Sequence, residues 1–286
     1  MTGTTLYDRC AQDAAASVIT TYSTSFALAC RLLGPRVRTH VRSVYALVRV
    51  ADEIVDGAAE DAGVPSPTQR LLLDEFEAET HAAVERGFST NLIVHAFALA
   101  ARECGIGGDL IRPFFASMRT DLTQTRHDAA SHDTYVYGSA EVVGLMCLQV
   151  FVNAARPEPV SPDPQLVEGA RRLGAAFQDV NFLRDRADDR SRLGRDYLGM
   201  DNGSQTVVRG EVLDRIDQDL DIAAAAIPHL PADCRRAVTT AHGLFAELAR
   251  RLRSDHSDAR VSVPTPVKAT IAAKAIAGRP PRRMVA

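Results

Sequence analysis

Residues 45–56 read Tyr-Ala-Leu-Val-Arg-Val-Ala-Asp-Glu-Ile-Val-Asp. Tyr45, Arg49, Asp52 and Asp56 stand at offsets of 0, 4, 7 and 11. At 3.6 residues per turn, these four fall within about 60° of one another on a helix. The rest of the stretch is mostly Val, Leu, Ala and Ile. A helix that is apolar nearly all round is normally buried, and buried carboxylates need compensation. A divalent cation can supply it. The same stretch also reads as a surface helix carrying an ordinary ladder of i,i+3 and i,i+4 pairs. Taken alone, it leaves both readings open.

A second stretch separates them. In residues 177–198, Gln178, Asn181, Asp185 and Asp189 stand at offsets of 0, 3, 7 and 11, again one helical face. Arg184 lies off that stripe, with a stem long enough to bring its guanidinium round. Two such helices facing each other would offer four carboxylates to hard cations. Their Arg, Gln, Asn and Tyr side chains could hold an anion between them. Mg²⁺ takes few carboxylates per ion and shares its shell with phosphate oxygens, so a diphosphate is the natural ligand.

Composition sets the outer limits. Hydrophobic residues make up 46% of the 286 and charged residues 24%, an ordinary soluble globular balance. A net charge of −3 gives no electrostatic case for nucleic acid. The five scattered cysteines form no Cys-x-x-Cys and read as reduced thiols of a cytoplasmic protein. No basic-then-apolar leader is expected. The apolar run Val142–Val152 is too short to span a bilayer, which leaves at most peripheral membrane contact.

Strand signals are nearly absent and helical spacing recurs, so the fold class is all-α, one helical domain around a central cavity. Helices are expected near 7–20, 37–57, 67–87, 91–104, 108–124, 132–153, 164–189, 207–227, 231–253 and 264–277. Gly34-Pro35 and Gly57 bracket the first acidic helix, and the stretches 61–67 and 157–164 read as loops. No linker divides domains, so residues 1–277 form the domain. The tail 278–286, with Arg279, Arg282 and Arg283 around Pro280-Pro281, is expected to be disordered.

The two acidic stretches resemble the paired aspartate motifs of the squalene/phytoene synthase family. The likeness continues in Tyr22-Ser23-Thr24-Ser25-Phe26, in Arg31-Leu32-Leu33-Gly34-Pro35 and in Met118-x-x-Asp121-Leu122. It extends through Tyr135-Val-Tyr137-Gly138-Ser139-Ala140, Val143-Gly144-Leu145-Met146 and Arg260-Val261 with Lys268. It spans roughly residues 20 to 275 in the family's own order, and bacterial phytoene synthases are the nearest likeness.

The resemblance implies an isoprenoid-synthase helical bundle. Asp52, Asp56, Asp185 and Asp189 would be Mg²⁺ ligands, and the bound metal would neutralise the leaving diphosphate of an allylic prenyl substrate. Arg49, Arg184 and Arg260 would grip that diphosphate, with neutral hydrogen bonds from Tyr45, Gln178 and Asn181. Ser23 and Ser25 either contact phosphate or cap a helix. Asp121 is expected to be structural or to support a basic residue. Asp188 and Glu53 lie off the stripes and are expected to be supporting or solvated.

Some positions depart from the family pattern. Tyr137, Glu141, Gly144 and Leu148 share one α-helical face, and Glu141 stands where relatives carry Gly or Ala. A carboxylate facing an isoprenoid channel costs several kcal/mol unless paired. Glu141 therefore either finds an Arg or faces a polar acceptor. Phe245 stands where relatives usually carry a Tyr near the diphosphate. Intact metal ligands beside an altered acceptor side suggest transfer of the prenyl group to a small aromatic acceptor of carbazole type, with Glu141 as the acceptor's hydrogen-bond or proton partner. The alternatives are head-to-head condensation of two prenyl diphosphates, a class I terpene cyclase, whose Asn-Asp-x-x-Ser-x-x-x-Glu motif is absent, and a non-catalytic isoprenoid binder.

Overall fold

A computed structural model of the chain describes residues 5–188, 196–198, 205–255, 260–281 and 284, with side chains for all of these except 187, 188, 205 and 206. Local chemistry sets the helix ends. Thr5 and Asp8 form a capping box at the start of α1 (Leu6–Tyr22). Ser23 accepts from Phe26 N and opens α2 (Thr24–Arg31). Pro35 occupies the first turn of α3 (Pro35–Val55), where its missing N–H costs nothing. A short α4 (Ala58–Asp61) follows, its first N–H held by Glu53 at 2.8 Å. Next come α5 (Ser66–Arg86) and α6 (Leu92–Cys104), which end on Gly87 and Gly105, both left-handed. After α7 (Gly108–Asp121), an Asp128–Ser131 capping box begins α8 (Ala129–Val136). A π-helical turn, Tyr137–Glu141, leads into α9 (Val142–Asn153). The remainder is α10 (Pro164–Asp188), α11 (Gln205–Ala226), α12 (Ala232–Ser254) and α13 (Thr265–Ile276).

Among the described residues there is no strand, only an isolated bridge between Arg126 and Asp196. The all-α expectation holds, and each expected helix is present. Two helices are additional, α2 and α4. The stretch expected as one helix over 132–153 is three pieces. Residues 129–153 are long and apolar enough to cross a membrane by composition, yet here they wall the interior. Beyond residue 277, Met284 packs on the second core cluster and donates its N–H to Asp221 at 2.6 Å, and residues 282, 283, 285 and 286 lie outside the described residues.

The core has two main bodies. One gathers α1–α3, α5–α7 and α9 around Leu47, Phe97, Phe114 and Phe115. The other gathers α10–α13 around Val180, Ile216 and Leu248. Phe26 packs against both. The two acidic stretches therefore lie on helices from different bodies, α3 and α10.

Candidate active site

Between the two bodies lies a cavity of about 400 Å³, walled mostly by apolar side chains. Its polar lining gathers at the two acidic helices. α3 contributes Tyr45, Arg49 and Asp52, and α10 contributes Gln178 and Asn181. Part of each stripe thus lines one chamber, while Asp56, Arg184, Asp185 and Arg260 stand outside its lining.

On α3, Arg49 reaches Asp52 at 2.8 Å and also pairs with Glu53. Its guanidinium carbon lies 4.5 Å above the Tyr22 ring. Burial pulls the Arg49 pKa down, but Asp52 and Glu53 more than offset it, and the cation is held firmly charged. Arg49 Nε is buried with no hydrogen-bond partner among the described residues, a donor for an incoming anion. Tyr45 is raised above the usual phenol range by burial, so it stays a neutral hydrogen-bond donor. Asp56 closes the helix as its C-terminal cap.

On α10, Asp185 accepts from Arg184 Nε at 2.9 Å and from Arg260 Nε at 2.8 Å. Burial raises its pKa, yet the two guanidiniums outweigh burial and bring it below the usual carboxylate range. Arg260, distant in sequence, is thereby placed on the second motif. Asp189 lies outside the described residues, as does the side chain of Asp188. Glu53, expected to be supporting or solvated, both pairs with Arg49 and caps α4.

Several expectations change. Glu141 does not line the cavity: it is 9% exposed and accepts from Arg171 Nε at 2.6 Å. Tyr137 goes with it, under the Arg171 guanidinium at 5.6 Å. The physical reason is the π turn. It inserts an extra residue into the helix, so the α-helical wheel that put Tyr137 and Glu141 on the face of Gly144 and Leu148 is out of register there. Gly144 and Leu148 do line the cavity, with Ser139 and Ala140. Phe245 also stands off the lining: it stacks on Phe177 at 3.8 Å and lies 5.6 Å from Phe26, behind two rings that form the wall. Ser23 acts as a helix cap, and Ser25 sits in the first turn of α2 outside the cavity lining.

One further group stands at the chamber. Tyr135 lines the cavity and donates its hydroxyl to Asp121 at 2.8 Å. Tyr197 donates to the other oxygen of Asp121 at 3.0 Å and stacks on Phe182 of α10 at 4.4 Å. Asp121 thus accepts from two phenols. Burial first, then Asp121, pushes the Tyr135 phenol well up, and Asp56 acts in the same direction. The signal was present in the sequence as Met118-x-x-Asp121 and Tyr135, but no helical spacing links them; tertiary packing does.

Whether a cation fits is decided by these donors. Asp52 and Asp185 offer oxygen donors only, with side chains 36% and 23% exposed, suited to a partly hydrated Mg²⁺. Among the described residues no three His, Cys, Asp or Glu converge on one point. The described protein atoms therefore make no closed cage, and phosphate oxygens would complete the shell.

An all-helical bundle whose apolar chamber is lined by Tyr45, Arg49 and Asp52 of one helix and by Gln178 and Asn181 of another fits a class of enzymes that handle isoprenoid diphosphates. The chain belongs to the squalene/phytoene synthase family, whose model matches residues 19–269, and it is a prenyl-transferring enzyme. It is 28% identical to the 15-cis-phytoene synthase of a Paracoccus species over 84% of this chain and 82% of that protein. It is 27% identical to the phytoene synthase of Pseudescherichia vulneris, over 85% and 82%. With Arabidopsis thaliana phytoene synthase 1 the match is 29% over 72% of this chain and 46% of that longer protein. In fold, it superposes on a dehydrosqualene synthase crystallised with a ligand at TM-score 0.79, with 22% identity, covering 95% and 97% of the two chains. A squalene synthase from Alicyclobacillus acidocaldarius gives TM-score 0.74 at 17% identity, covering 87% and 95%.

Proposed function

We propose that this enzyme condenses two allylic prenyl diphosphates head to head, in the manner of phytoene, squalene or dehydrosqualene synthases. One observation carries the reading: Arg49 and Asp52 from α3, and Gln178 and Asn181 from α10, share one apolar chamber. The chain's own residues would divide the work. Arg49, Arg184 and Arg260 take the diphosphate oxygens by charge-assisted hydrogen bonds. Tyr45, Gln178 and Asn181 orient the head group, and the apolar wall keeps water from the allylic cation. Asp52, Asp56, Asp185 and Asp189 would hold Mg²⁺, which supplies charge neutralisation at the leaving group when bound. The reading includes a cytoplasmic location, supported by the scattered cysteines.

The aromatic-acceptor reading rested on a carboxylate in the channel. With Glu141 engaged by Arg171 outside the lining, the head-to-head alternative has the better support. The kinship with phytoene synthases points the same way. The test supplies farnesyl or geranylgeranyl diphosphate without any aromatic compound, with and without Mg²⁺ and with and without a reduced nicotinamide as hydride donor, and follows hydrocarbon and diphosphate. A C30 or C40 hydrocarbon that needs Mg²⁺ is the expected product. Diphosphate release that requires an added aromatic compound and yields its prenylated form would overturn the reading.

A further inference from the structure

Tyr22 is the last residue of α1, at the corner where the chain turns into α2. The corner is one extended residue, Ser23. Its N–H bonds to the Ile19 carbonyl at 3.1 Å, and its hydroxyl accepts from Phe26 N at 3.1 Å. These two bonds fix the place of Tyr22 through the backbone. Ile19 and Phe26, on either side of the corner, both line the chamber, whereas Tyr22 does not. Tyr22 is 49% exposed, and its ring lies 4.5 Å from the guanidinium carbon of Arg49. An exposed aromatic residue standing singly needs no explanation; one stacked on a cation of the site does.

Arg49 is held in three ways. Asp52 pairs with Nη1 at 2.8 Å, Glu53 pairs with Nη2, and the Tyr22 ring covers one face. A guanidinium carries five N–H donors, all in its plane. The two carboxylates occupy donors; a ring against the face occupies none. Nε stays without a hydrogen-bond partner among the described residues. Asp52 is also a proposed Mg²⁺ ligand, so a bound cation would compete for its hold on Arg49. The ring's hold is outside that competition. Attraction between a cation and a ring face grows as both lose water. With its side chain 31% exposed, Arg49 stands between the exposed and the desolvated limits.

We propose that Tyr22 is a positioning residue, whose ring holds the Arg49 guanidinium by its face and keeps the in-plane donors turned to a diphosphate at the chamber. The inference rests on the proposed function in one respect, the assignment of Arg49 to diphosphate oxygens. In this role Tyr22 touches neither substrate nor reacting atoms. The ring is required and the hydroxyl is dispensable. Arg49 grips the head group both before and during ionisation, so loss of its position removes binding common to both states. Such a loss raises KM more than it lowers kcat.

The experiment compares the full chain as wild type, Tyr22→Phe and Tyr22→Leu. Calorimetry measures binding of inorganic diphosphate in the presence of Mg²⁺. KM and kcat are read from diphosphate release, with the better donor of farnesyl and geranylgeranyl diphosphate. Thermal unfolding reports that each variant is folded. Tyr22→Leu should weaken diphosphate binding and raise KM by roughly three- to tenfold, with kcat within about twofold of wild type. Tyr22→Phe should stay within about twofold of wild type in every measurement. An Arg49→Gln background separates stacking from mere packing: there, Tyr22→Leu should change diphosphate binding by less than about twofold. Three results would each overturn the inference alone. They are a Tyr22→Phe loss as large as that of Tyr22→Leu, a Tyr22→Leu variant that matches wild type, and a Tyr22→Leu effect undiminished in the Arg49→Gln background. A wild type that binds no diphosphate would overturn the proposed function, and this inference with it.

Discussion

Glu141 illustrates how a residue's neighbours, not its type, set its role. Its carboxylate is buried against Arg171, whose side chain is 39% exposed and can rehydrate if left alone. Glu141→Ala should therefore cost roughly 1–2 kcal/mol of stability in urea unfolding, between the values for exposed and fully buried pairs. Its kcat/KM should stay within about twofold of wild type. A large loss of kcat with stability intact would return Glu141 to the reacting groups. Asp219 of α11 makes a second residue-scale case. Burial raises its pKa from 3.8 to about 6, with Arg172 at 3.4 Å opposing and Asp179 and Glu141 adding to the rise. A carboxyl with a raised folded pKa binds its proton more tightly in the folded state. Its contribution is present at about pH 4 and is lost as pH climbs through about 6. Asp219→Asn lacks that titration. Its stability relative to wild type should rise by a few kcal/mol, about 3 at most, between pH 4 and 7. A flat difference across that range would show the aspartate to be ordinary.

At the scale of elements, the π turn is the feature that redirects the site. Residues 138–141 are squeezed from two sides. A Cβ on Gly138 would lie 2.3 Å from the Pro113 carbonyl oxygen of α7, and one on Gly174 of α10 would lie 2.5 Å from the Ala140 oxygen. Both neighbours are backbone and cannot yield cheaply. Gly174→Ala should cost about 1–3 kcal/mol by overpacking. It should also lower kcat/KM, because α10 also carries Gln178, Asn181 and Asp185. Gly210 of α11 is the control: nothing lies within 4 Å of its would-be Cβ. Gly210→Ala should be neutral or stabilising by up to about 1 kcal/mol. If thermal unfolding ranks the two variants the other way, the close approach of α10 to the turn is not what holds the wall. The helix termini, by contrast, were legible beforehand. Gly34-Pro35 before α3 and Gly57 just after its Asp56 cap mark the helix's ends by residue type alone.

Across the whole molecule, two core clusters that share α12 and Phe26 supply one acidic helix each, and the chamber lies between them. Amphipathic spacing, breakers and residue chemistry are local properties. The all-α class, the expected helices, and the pairing of Tyr45, Arg49 and Asp52 with Gln178 and Asn181 could therefore be read from the order of residues. So could the resemblance that linked them to a diphosphate. Three things could not. The Asp121–Tyr135–Tyr197 cluster joins residues 14 and 76 positions apart, a distance that no periodicity reports. Phe245 went behind the wall because Phe177 and Phe26 reached the chamber first. Glu141 stands outside the lining where one extra residue in a turn rotates a helix face, a turn against which α7 and α10 both pack closely. Linear spacing determines which side chains can share a face; only the packing of elements against one another decides where that face points.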